Sequence, residues 1–393
     1  MARRTYTGKQ IGVAALIGIM ALVLAACGGG GAATPTAGAG IPPTIDPAAT
    51  LVVTSAVPTA VAMVNEVLPT NSLILTQLSR PLAQLPDGRV VTLSEDRFGA
   101  QGSPDGRYGV RTTLINSTFT LELVDYSDGQ GGTVTAIPEG ANFYGPGITW
   151  KADSSGFAFF DFPPPGGANR TTSKTIFYFD VASKQTRRLI PDLKTPGKIA
   201  ASFAFAPNGS LLLYVVGDAN AEGIGGPDSQ PVVLDLATSQ STSISTESFL
   251  GFSQWLPDSS GFVTLKFDDT GASGVYLYKL NDTGSPKRLT PTTDSDFLVD
   301  VSPDGKFIAT TSVGTSGNVV NVYRMGIDGG GRTQLTSFED PQQTITGLVW
   351  GVDGVYYSLT GGDGEDTIWR VDLDGRNPTQ VATGTLYRIV GVG

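Results

Sequence analysis

One short turn recurs six times along this chain, and its period sets the fold. The copies are GSPDGRYGV (102–110), KADSSGFAFF (151–160), APNGSLLLYV (206–215), LPDSSGFVTL (256–265), SPDGKFIAT (302–310) and GVDGVYYSL (351–359). Each is anchored by an Asp or Asn: Asp105, Asp153, Asn208, Asp258, Asp304 and Asp353, at spacings of 48, 55, 50, 46 and 49 residues. Three residues before each anchor stands Gly102, Trp150, Phe205, Trp255, Val301 or Trp350, bulky in five of the six. A second element follows in every period: a strand, an Asp/Asn/Gly turn and a short Thr-rich strand, as in VYRMGIDGGGRTQLT (322–336). Pro presets φ, Asp caps its own backbone and Gly supplies positive φ, so P-D-G joins antiparallel strands.

Each unit therefore reads as strand a, a tight turn, strand b, a variable loop, strand c, an Asp/Gly turn and strand d. A lone four-stranded sheet that is apolar on both faces cannot stand in water. Radial stacking of several such sheets buries both faces and leaves only short edges. The period thus predicts an all-β chain folded as a β-propeller. The Gly and Pro content, 51 and 25 of 393 residues, agrees with a turn-rich chain and excludes helical repeats.

The ends argue for the blade number. The stretch NSLILTQLSRPLAQLPDGRVVTLSE (71–95) reads as strands b, c and d, with Asp87-Gly88 in the last turn. The C-terminal IVGVG aligns with LVWGVDG (348–354) and reads as strand a. Seven four-stranded blades are expected, six whole and one composite; six self-contained blades are the alternative.

The N-terminus reads as targeting. Arg3, Arg4 and Lys9 precede the unbroken apolar stretch 11–26, which is short for a spanning helix. The chain's only cysteine follows in Leu24-Ala25-Ala26-Cys27, ahead of four glycines. That run resembles the lipobox of bacterial lipoproteins, and the resemblance implies cleavage before Cys27 and lipidation of its sulfur. Residues 1–26 are read as a lipoprotein signal peptide, 27–70 as a Gly/Ala/Thr/Pro-rich tether and 71–393 as the propeller. The segment 51–68 is apolar enough to pack on the domain. The expected location is extracytoplasmic, lipid-anchored to a bacterial cell membrane.

The repeats resemble the WD40-like PD40 units of the TolB family, and also the propellers of prolyl-oligopeptidase and dipeptidyl-peptidase enzymes. What the resemblance implies is the scaffold. No stretch here matches TolB's α/β domain, and there is no G-x-S-x-G or histidine for the peptidase chemistry.

Composition narrows function further. With no His and one Cys, Ser-His-Asp and Cys-His nucleophiles and His-ligated metals are excluded. A formal charge of −10 argues against nucleic acid. Loop length and acidity collect in the b–c loops, which hold Asp161, Asp218, Glu222, Asp268, Asp269, Asp363, Glu365 and Asp366 against few cations such as Arg170. These form the candidate binding face, an acidic rim for a basic patch or a solvated loop set. Asp294, Asp296 and Asp300 have spacing like Ca²⁺ ligands but lack the full loop, so an Asp-rich turn is the plainer reading. No resident metal or cofactor is expected; Ca²⁺ is the one ion the acids would suit. The anchors are expected to be turn caps, and the tryptophans inter-blade core. The function expected is a monomeric, non-catalytic module that binds a protein, peptide or glycan. The alternative is a His-free propeller enzyme, a carboxylate glycosidase or a Ca²⁺-dependent lyase.

Overall fold

A computed structural model describes residues 68–77, 80–93, 101–115, 118–128, 133–137, 147–160, 176–190, 198–218, 230–244, 253–268, 272–282, 285–314, 319–360 and 366–390. They belong to one compact unit, Ala56–Gly393. Cys27 and the proposed leader lie outside the described residues. Among the described residues, no helix is long and apolar enough to cross a membrane.

Seven four-stranded antiparallel sheets form a ring of seven blades. Blades two to seven are continuous in sequence, with innermost strands Gln101–Gly102, Ile148–Trp150, Lys198–Phe205, Ser253–Trp255, Ser295–Val301 and Thr344–Trp350. Blade one is composite. The C-terminal strand Thr385–Ile389 is innermost and pairs with Leu73–Gln77, followed by Arg80–Gln84 and Val90–Thr92. Its register sets Leu73 against Ile389 and Leu75 against Leu386. The six-blade alternative is thereby excluded. Leu68, within the stretch read as tether, is buried with Ile74, Ala83 and Val390.

The recurring turn works through its anchors. Asp105 accepts the amide of Arg107 at 3.0 Å, Asp153 that of Ser155 at 3.0 Å, and Asn208 that of Ser210 at 2.9 Å. Asp258 and Asp304 do the same for Ser260 and Lys306, at 2.9 and 3.1 Å. Asp353 departs from the pattern. It takes the Tyr356 hydroxyl at 3.0 Å and the Arg370 guanidinium at 2.8 Å.

The residue with positive φ follows the anchor in five units. In three it is Gly106, Gly209 or Gly305, as expected. In the D-S-S-G units it is a serine instead: Ser154 at φ 58° and Ser259 at 61°. Each hydroxyl then accepts the anchor amide of the preceding blade, Asp105 N at 3.2 Å and Asn208 N at 3.1 Å. The glycine of those motifs serves another need. A Cβ on Gly261 would lie 2.1 Å from the Tyr278 carbonyl oxygen, and one on Gly156 would lie 2.4 Å from that of Phe179. These glycines let strands b and c approach closely.

Inter-blade faces supply the core. Trp255, Phe262 and Tyr278 of blade five pack on Leu213, Val215 and Val233 of blade four. Trp150 packs with Phe157 and Phe179 against Val110, Leu121 and Leu123 of blade two. Fully burying side chains of this kind contributes roughly 1.5–3 kcal/mol each. The Trp255 indole also donates to the Ala204 carbonyl at 3.0 Å, tying two innermost strands together.

A Leu-Thr pair closes the outer strand in two blades. Leu289 and Leu335 donate backbone N–H groups to Val275 and Val322. The hydroxyls of Thr290 and Thr336 accept the N–H groups of those same valines at 3.1 and 2.9 Å.

Candidate functional site

Chain direction assigns the turns to faces. The a–b and c–d turns share one end of the ring, the turn face, and the b–c loops and d–a crossings share the other, the loop face. Five a–b turns are each five residues, namely 103–107, 151–155, 206–210, 256–260 and 302–306, and the sixth, 351–354, is four. The segments between strands b and c run instead from two residues at 116–117 to eleven at 219–229 and fifteen at 161–175. The widest variation in length thus falls on the loop face, since the c–d turns of the turn face run only from four residues at 181–184 to seven at 372–378.

Of the rim residues, Asp161, Arg170, Glu222, Asp269, Asp363 and Glu365 lie outside the described residues, as does the side chain of Asp218. Asp268 and Asp366 are described, and neither is a bare surface charge. Asp268 pairs with Arg288 at 2.8 Å, the two side chains being 20% and 13% exposed. It also accepts the Ala272 amide at 3.1 Å, and so closes the b–c loop of blade five. Asp366 accepts the hydroxyls of Thr360 and Thr385, joining blade seven to the closing strand of blade one.

Sequence reasoning missed the arginines that organise this region. The Arg288 guanidinium donates to the carbonyls of Thr290 and Pro291, each at 3.0 Å, besides holding Asp268. It fits because residue 274 is glycine; a Cβ there would meet the guanidinium carbon at 2.6 Å. Arg332 lies 3.9 Å over the Tyr323 ring and bonds Asp294 at 2.6 Å. The signal available was weak: an Arg before Leu-Thr in one blade and before Thr-Gln-Leu-Thr in the next.

The three aspartates with Ca²⁺-like spacing have separate roles. Asp294 is neutralised by Arg332. Asp296 is 1% exposed, and burial raises its pKa above the usual carboxylate range, while the Thr290 hydroxyl, Arg332 and the Ser312 hydroxyl pull it back. Asp300 accepts the backbone amides of Val301 at 3.0 Å and of Trp350, in blade seven, at 2.7 Å. Burial still pushes it up to about 6. Among the described residues, no group of three or more Asp, Glu, Cys or His could hold a metal ion.

Among the described residues, Asp268 and Asp366 are thus engaged in fixing a loop stem and joining two blades.

No family model matches this chain, and no curated protein does. Solved structures share its architecture. A prolyl endopeptidase superposes with a TM-score of 0.58 at 14% identity, covering 82% of this chain and 51% of that one. Prolyl oligopeptidase B from Galerina marginata gives 0.58 at 14%, covering 80% and 48%. An oligogalacturonate lyase in complex with manganese gives 0.55 at 15%, covering 80% and 84%. The chain thus spans about half the length of the peptidases it matches. At these identities the likeness establishes the fold alone: this chain is a seven-bladed β-propeller.

Proposed function

We propose that the chain is a lipid-anchored, extracytoplasmic propeller whose loop face is a non-catalytic binding surface for a protein, peptide or glycan. The observation that carries this reading is the asymmetry of connection length. Five turns on one face are each five residues, while the b–c segments span two to fifteen on the other. The blades hold together through their stacked faces and leave only short strand edges, so loop length can vary without endangering the fold.

The sequence supports the rest of the reading. Its one cysteine, Cys27, stands at a lipobox, and the Gly/Pro-rich stretch after it has the composition of a tether. The absence of histidine from the sequence removes the commonest general base and the peptidase triad.

Chemical crosslinking of the full-length protein in its native membrane, followed by co-purification, tests this. A specific partner should be recovered from the wild type and lost when the 161–175 segment is replaced by a two-residue link. Cys27→Ala should leave the protein in the soluble fraction or as an uncleaved precursor. Retention of the partner after loop replacement would overturn the loop-face assignment. Turnover of a peptide or glycan by the purified protein would overturn the non-catalytic one.

A further inference from the structure

The turn face carries a cavity of about 610 Å³ at the seam between blades five and six. That volume lies within the range of ordinary ligand pockets, roughly 300–1,000 Å³. Its lining includes Leu256, Leu277 and Tyr278 of blade five and Ile327 of blade six. Four carboxylates border it, Asp258, Asp282, Asp304 and Asp328, against the ammonium groups of Lys279 and Lys287.

The seam differs locally from two others on this face. Between blades two and three, and between four and five, a serine hydroxyl bridges adjacent a–b turns. In blade six the matching residue is Gly305, at φ 70°, which carries no hydroxyl to offer the Asp258 amide. Here the neighbouring turns meet through Pro257, whose ring would lie 3.3 Å from a Cβ on Gly305.

The charges around the cavity are fixed in place. Asp258 holds the Ser260 amide and hydroxyl, and Asp304 holds the Lys306 amide and the Ser302 hydroxyl. Those donors hold both carboxyls below the usual carboxylate range, so both are ionised near neutrality. Lys287 spends a proton on the Asp328 carbonyl at 2.7 Å, spanning from the outer strand of blade five to a turn of blade six. Lys306 places a third ammonium group 3.3 Å from Asp304, on exposed side chains, so four carboxylates face three cations and the border is net anionic around an apolar lining.

We infer that this cleft is a second binding site, one that takes a cationic peptide segment with a lysine or arginine beside an apolar residue. The apolar side chain would cover Leu256, Leu277 and Ile327, while the cation meets Asp258 and Asp304. The site is independent of the loop-face proposal, since the two lie at opposite ends of the blades.

Asn208 provides the means to test it. In blade four an asparagine holds the same turn, taking the Ser210 amide at 2.9 Å and its hydroxyl at 2.8 Å. Asp258→Asn with Asp304→Asn should therefore remove two charges and keep both turns. The probe is a fluorescent Leu-Lys-Leu-Lys-Leu amide, compared with its Leu-Glu-Leu-Glu-Leu counterpart, with binding to the full-length protein read by anisotropy. The lysine peptide should bind saturably and the glutamate peptide should not. The double variant should lose about tenfold in affinity at low salt, shrinking to about twofold at 0.5 M salt as the charges are screened.

Equal binding of both peptides, or an unchanged affinity in the folded double variant, overturns the site. Hexylamine binding as tightly as the lysine peptide would reduce the occupant to a small amine and overturn the peptide assignment. Asp87→Asn with Asp374→Asn, at exposed turns of blades one and seven, should leave peptide affinity unchanged. If that variant weakens binding as much as the cleft variant does, the attraction is general surface charge and the cleft assignment falls.

Discussion

Removing residues 384–393 should open the ring. The deletion strips the innermost strand from blade one and takes with it Leu386, Ile389 and Val390, which are 7%, 4% and 1% exposed. At roughly 1.5–3 kcal/mol for each buried side chain, about 5–9 kcal/mol of apolar burial is lost. The paired bonds Asn71 N–H to Val390 O at 2.7 Å and Val390 N–H to Ser72 O at 2.9 Å go as well. So does the bond from the Leu386 amide to the Ser358 hydroxyl at 3.0 Å, which ties blade one to blade seven. The sum is comparable with the whole stability of a typical domain, about 5–15 kcal/mol. Circular dichroism with thermal and urea unfolding should show a truncated chain that melts far lower, or populates an open intermediate at low denaturant. Leu386→Ala alone should cost about 2–5 kcal/mol through the cavity it leaves. An unchanged urea midpoint for the truncated chain would refute closure as the source of stability and imply self-contained blades.

Asp300 should make stability fall as pH rises. Its folded pKa, about 6 against 3.8, means its contribution is complete below about pH 4 and is lost as pH rises through 6. The difference corresponds to at most about 3 kcal/mol. Anchors such as Asp258 and Asp304 are shifted downward, so their contribution is lost only as pH falls below the ordinary carboxylate range. Urea titrations at pH 5 and 7.5 should therefore isolate the raised pair, Asp296 and Asp300, and Asp300→Asn should flatten most of the slope; an equal slope in the variant would contradict this. Ser259→Ala should cost more than Ser259→Gly. Both lose the acceptor for the Asn208 amide, but only alanine keeps a side chain at φ 61°. The alanine should lie about 1 kcal/mol below the glycine in unfolding free energy, and the reverse order would rule out backbone strain at this position.

The ring was legible because its signal is local and repeated. A turn anchor and a bulky residue three positions earlier recur at a nearly constant spacing, and both ends carry fragments of the same unit. Even the composite blade follows from arithmetic on those fragments. What escaped is set by contacts across the fold. Nothing in D-S-S-G announces that the first serine takes the positive φ, because its reward is a bond to a blade about fifty residues away. Asp268 reads as a surface acid until Arg288, twenty residues on and two strands over, is brought beside it. Asp300 reads as one of a trio with Asp294 and Asp296 until its carboxylate meets the amide of Trp350. Side-chain partners chosen by tertiary packing have no fixed spacing, so periodicity cannot find them.

The composite blade also decides how the ring would bear a pull. A pull on the chain at Leu68 is carried into Leu73–Gln77, which is the second strand of its sheet and not an edge. Hydrogen-bonded ladders flank it on both sides, toward Thr385–Ile389 and toward Arg80–Gln84. Tension along that strand is shared between the two ladders, so bonds must fail together instead of peeling one by one. Thr385–Ile389 thus acts as a clasp on Leu73–Gln77, which is among the best-supported strands in the ring.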